Sequence, residues 1–118
     1  MTFSEESICR AVIATLMHKN VRSIVCSGHS GNEYSLEYIR EEDRTLWKNA
    51  CKIEGNSVIW SYCGSTTEPD FKGRWRTDPQ DEKVTYKIET ESLSLIIYVQ
   101  YPDGSVTEKK FVSSDFIS

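Results

Sequence analysis

The hydrophobic period of this chain changes once, near residue 20, and that change constrains the fold more than any other feature. Ahead of it, Ile8, Cys9, Val12, Ile13, Leu16 and Met17 recur at the spacing of one helical face. Ser4 is a good N-cap, and Glu5 and Glu6 set negative charge against the positive end of the helix dipole. Phe3 and Ile8 have the spacing of a hydrophobic staple. His18 and Lys19 suit a last turn, and Asn20 can take the left-handed stop. The spacing predicts an amphipathic helix over 4–19.

Past residue 20 the side chains switch sides at every step. Val21 to Cys26 is short and β-branched, and Tyr34, Leu36 and Tyr38 alternate with Glu33, Ser35 and Glu37. The Gly- and Ser-rich stretch between them reads as a hairpin turn. Arg40 to Arg44 is a solvated turn. Leu46, Trp47, Ala50 and Cys51 would fit a helical stripe, but a strand is favoured. Glu54-Gly55-Asn56-Ser57 then joins it to Val58–Tyr62 as a hairpin, with Ile53 facing Val58 and Cys51 facing Trp60. Residues 64–73 are irregular, and Trp75 is expected to anchor a short strand. Pro79 favours an extended Asp78 in the next turn.

Three last strands are expected at Val84–Ile88, Leu93–Tyr101 and Val106–Val112. In the middle one Leu93, Leu95, Ile97, Val99 and Tyr101 share a face while Ile96 and Tyr98 line the other, as in a strand covered on both sides. The expected fold is α+β, a single domain over 1–118. One N-terminal amphipathic helix packs on a seven- to eight-stranded, mostly antiparallel β meander over 21–112, as an open twisted sheet or a small barrel.

A chain of 118 residues can bury a core without metal or disulfide staples. Its net charge of -4 disfavours nonspecific attraction to nucleic acid or anionic membrane. The longest apolar run, Leu95–Val99, is far short of the ~20 residues of a membrane-spanning helix. Met1 to Glu6 carries no basic stretch before an apolar one, so the expectation is a cytoplasmic protein without a secretory leader. Cys9, Cys26, Cys51 and Cys63 would then stay reduced.

Catalytic signatures are missing where they would be expected. Gly28-His29-Ser30-Gly31 is one residue short of a nucleophile elbow and lies between strands, not between strand and helix. The two histidines, His18 and His29, offer little acid–base chemistry, and no cysteine pair has zinc-knuckle spacing. No glycine-rich phosphate loop opens a helix. No catalytic residue, metal or cofactor is expected. Lys72, Arg74 and Arg76 around Trp75 form the one basic–aromatic cluster, a weak candidate anion site. Tyr34, Tyr38, Glu41, Glu42 and Asp43 combine acid with aromatic anchors and suit a protein partner of basic character. The function expected from these residues is a small cytosolic module that binds and masks a protein partner, in the manner of an immunity or inhibitor protein. The alternative is a small β-barrel carrying an apolar ligand in its mouth.

Overall fold

A computed structural model describes residues 3–67 and 73–116. Helix α1 (Glu5–Met17) is followed by a 3-10 turn at Val21–Ser23 and seven strands: β1 (Val25–Ser30), β2 (Glu33–Arg40), β3 (Thr45–Glu54), β4 (Ser57–Ser65), β5 (Lys83–Glu89), β6 (Ser94–Gln100) and β7 (Val106–Val112). A second 3-10 turn, Ser113–Phe116, closes the described chain. Each strand pairs antiparallel with the next, in the order β1-β2-β3-β4-β5-β6-β7. The fold is α+β, one helix on a seven-stranded antiparallel sheet. The sheet is open, with β1 and β7 at its edges, so no barrel closes, and the strands among the described residues number seven, not eight.

Ser4 caps the helix as its sequence implies, its hydroxyl accepting from the Ser7 N–H at 3.1 Å. The stop comes earlier than Asn20. His18 takes the left-handed conformation (φ 55°) and its N–H returns to the Ala14 carbonyl. His is among the residues that tolerate this region, and Asn20 serves instead as N-cap of the next turn, accepting from Arg22 N–H at 3.0 Å.

The helix is enclosed to a degree that a one-sided stripe does not imply. Ala11, Val12, Ile13, Ala14 and Thr15 are all buried, five residues in a row. The reason is the shape of the sheet. β4 and β5 share register only at Ser57–Thr85 and Val58–Val84, so the sheet folds there and the two halves curl round α1. Strands β1 to β3 meet the helix on one side and β6 on another. Arg10 secures a further side, donating to the carbonyls of Ile24 (2.8 Å) and Val21 (3.1 Å) and lying over the Phe116 ring. Leu36, Cys51, Leu95, Ile97 and Val99 complete the interior, all fully buried. Ile53 pairs with Val58 and Cys51 with Trp60, as the hairpin register requires.

Where β4 leaves β5, no strand forms around Trp75. One backbone bond, Arg76 N–H to the Trp60 carbonyl at 2.9 Å, ties the segment to the vacated edge of β4. Gly73 approaches so closely that a Cβ there would overlap the Tyr62 carbonyl oxygen.

Ile13→Ala is expected to cost about 2–5 kcal/mol of unfolding free energy, because the curled sheet cannot collapse onto the lost volume. Ile39→Ser, on the outer face, should change stability by less than about 0.5 kcal/mol. Urea titration of the two variants against the parent chain checks both.

Candidate functional site

The alternation that builds β2 divides the residues expected to form an acidic–aromatic patch. Tyr34, Leu36 and Tyr38 face α1, and Tyr38 is only 7% exposed. The Tyr34 hydroxyl donates to Glu5 Oε1 at 2.9 Å, and this bond pushes its pKa up to about 12. Its ring stacks on His29 with centroids 5.3 Å apart. Asp43 is bound within its own turn. It accepts from the Arg40 guanidinium, from the Thr45 N–H (3.1 Å) and from the Thr45 hydroxyl (2.6 Å). Arg40, with Thr45 second, holds the Asp43 carboxyl well below the usual carboxylate range. Glu41 and Glu42 remain exposed at the tip of the β2–β3 turn. Of the five expected contact residues, these two present their charge outward without a salt-bridge partner among the described residues.

The opposite face of the same strands carries a feature that the sequence pattern conceals. Ile39 stands across from Leu46, and Val25 lies one diagonal step away, across from Glu37. Val25 is 58% and Ile39 57% exposed while Leu46 is half-buried, so three strands contribute to an apolar row, exposed at two of its members, beside the Glu41–Glu42 tip. Further along, Glu37 faces Lys48 and Glu33 faces Lys52, so the rest of this surface is balanced in charge. Each apolar residue looks ordinary in its own strand; only the register sets them side by side.

The basic–aromatic cluster has become an ion network. Lys72 lies outside the described residues. Arg74 grips Asp81 with two bonds, at 2.7 and 2.8 Å, and Arg76 reaches Asp81 at 3.3 Å and Glu82 at 3.2 Å. Arg76 also lies over the Trp60 ring, whose indole N–H donates to Glu82 at 2.9 Å. Trp75 turns to the other side, under the Lys52 ammonium. Asp81 is buried, and the Arg74 pair, assisted by the Asp78 N–H, holds its pKa down at about 2. Arg74 and Arg76 thus already have internal carboxylates for partners. A cleft of about 420 Å³ beside them is walled by Glu54, Asp78 and Glu82 with Arg76 and Lys83, so carboxylates outnumber cations there.

The two histidines stand apart. His18 ends α1, whereas His29 is on edge strand β1 near the helix's other end, and Gly31 (φ 61°) makes the tight β1–β2 turn. Among the described residues, no three His, Cys, Asp or Glu side chains gather as a metal would require. No helix among them is long and apolar enough to cross a membrane. Cys9 and Cys51 touch across the helix–sheet boundary, and burial pushes the Cys51 thiol up, away from reactivity. Among the described residues, Asn49 is the buried side chain with no hydrogen-bond partner for either amide atom, and it stands across from Tyr62, whose ring packs on Trp47. Such an orphan costs on the order of 1–3 kcal/mol. No protein-family model matches this chain, and comparisons with curated proteins and with solved structures give no match.

The depressed Asp81 pKa fixes the sign of one pH effect. A carboxyl lowered by folding stabilises the protein above its unfolded pKa of about 3.9, and that contribution fades as pH falls toward about 2. Asp81→Asn should therefore be less stable than the parent at neutral pH, with the gap narrowing between pH ~4 and ~2. Urea unfolding across that range measures the gap; a constant difference would contradict the ion-network assignment.

Proposed function

We propose that this protein is a binding module that docks a protein partner on the outer face of β1–β3, covering Val25, Ile39 and Leu46, with Glu41 and Glu42 at the rim. The exposed apolar row carries this reading. Large apolar side chains placed in register on a surface, bounded by charge, suit a contact that hides them. Full burial of such a side chain is worth about 1.5–3 kcal/mol, enough for two or three of them to dominate a modest interface. The rim supplies selectivity. Glu41 and Glu42 favour a partner with basic side chains and would speed its encounter more than they tighten the final complex.

Masking then needs no chemistry from this chain: the partner's basic surface is occluded by steric cover. The enclosure of α1 supports surface binding over an apolar-ligand carrier, since the helix occupies the concavity such a ligand would need. Asp43, Tyr34 and Tyr38 support the contact indirectly, by shaping the turn and seating the strand.

Immobilised protein should capture a partner from native lysate that the V25S/I39S double variant fails to hold, with at least a tenfold loss of affinity once the captured protein is purified. Glu41→Ser with Glu42→Ser should leave the complex intact but slow its association and flatten its salt dependence. Equal capture by the parent and the V25S/I39S variant would remove the site from this face.

A further inference from the structure

A second surface of the molecule has opposite electrostatic character. Between the end of α1 and edge strand β7 runs a cleft of about 680 Å³. One wall is the segment where the helix stops and the 3-10 turn begins, carrying His18, Lys19 and Arg22; the other is β7, with Lys109 and Lys110. Asp115 is the single carboxylate lining it, in a chain whose net charge is -4. Concentrating cations at one concave place on an acidic protein has an electrostatic consequence. A cleft with low-dielectric walls focuses their field on whatever enters.

The local bonding shows which charges are available. Lys110 points to the far face of the sheet, where Glu89 answers it at 3.8 Å. Asp115 is occupied by the Val112 N–H at 2.8 Å. Lys109 belongs to the inward row of β7, between Thr107 and Phe111 and opposite the fully buried Ile97, so its side chain is directed toward the helix end. Arg22 spends one nitrogen on the Ser114 carbonyl at 3.4 Å, and Lys19 lies over the Tyr38 ring. Lys19, Arg22 and Lys109 therefore face the cleft without a carboxylate partner among the described residues, in contrast to Arg74 and Arg76 on the other side of the molecule.

We propose that this cleft binds a small phosphorylated molecule, its phosphate held by Arg22 and Lys109 with Lys19 close by, and its organic part against Phe111. A phosphate dianion carries twice the charge of a carboxylate and a third terminal oxygen, so it can engage two or three separate cations at once. The volume is that of a mononucleotide-sized site, and Thr15, Asn20 and Thr107 offer neutral hydrogen-bonding groups for hydroxyls. The cations form one local cluster, not the extended track that a nucleic-acid backbone follows. Two structural roles could account for the same residues: cations complement a helix C-terminus, and an inward charge protects an edge strand from pairing with another chain. Neither role responds to an added ligand.

Titration calorimetry at low ionic strength separates these cases, with ribose 5-phosphate, adenosine monophosphate, inorganic phosphate and uncharged ribose as probes. Saturable binding of an organic phosphate, tighter than inorganic phosphate and absent for ribose, is expected. Lys109→Gln should weaken it about tenfold or more, the effect of one charge-assisted bond, and Arg22→Gln provides an independent second variant. Lys83→Gln, remote from the cleft, should leave it unchanged, with circular dichroism reporting that every variant is folded. The proposal is overturned by no saturable binding, by unchanged affinity in both cleft variants, by inorganic phosphate binding as tightly as the organic probes, or by binding of an oligonucleotide alone.

Discussion

Burial of α1 within the curl of the sheet is the constraint on which the other features rest. An isolated helix of this length is marginal in water, and an open sheet of seven strands would leave one face bare. Each solves the other's problem. Ile8, Cys9, Val12 and Ile13 supply the apolar volume that Leu36, Cys51, Leu95, Ile97 and Val99 need, and all are buried. The price is geometric. β4 and β5 must part after Val58 for the halves to close on the helix, which leaves the far end of β4 without a partner strand. The segment 73–82 compensates, and its Arg–Asp–Glu network holds it there.

Filling the concavity also decides where ligands can go. With the inside taken, the outer face and the seams between elements are the surfaces left open. The outer face of β1–β3 offers uncovered apolar side chains with an acidic rim; the seam between the helix end and β7 offers unanswered cations in a cleft. The two surfaces differ in chemistry, and neither depends on the interior opening.

Much of this was legible in the chain because periodicity reports burial directly. The helix, the β2 alternation and the Ile53–Val58 register follow from the 3.6-to-2 switch and one turn, and each depends on local spacing. What the sequence concealed depends on distant neighbours. Nothing near Trp75 reveals that β5 diverges from β4, so a strand looked reasonable where the structure has a tethered loop. Asp81 and Glu82 carry no local sign of an ion network, because their partners, Arg74 and Arg76, are brought to them only by the fold. The acidic–aromatic patch failed as a unit for the opposite reason: period two, applied strictly, sends Tyr34 and Tyr38 inward while the turn acids face out. Val25, Ile39 and Leu46, like Arg22 and Lys109, become neighbours only when elements separated in sequence are laid side by side.

Native-state hydrogen exchange tests the enclosed helix most directly. If α1 is the filling of the curled sheet, the amides of Val12 to Thr15 will exchange with the same free energy and denaturant dependence as those of Leu95 to Val99, both through global unfolding. Helix amides that open at distinctly lower free energy while β6 stays protected would show a helix lying on a sheet that is stable without it, contrary to the account given.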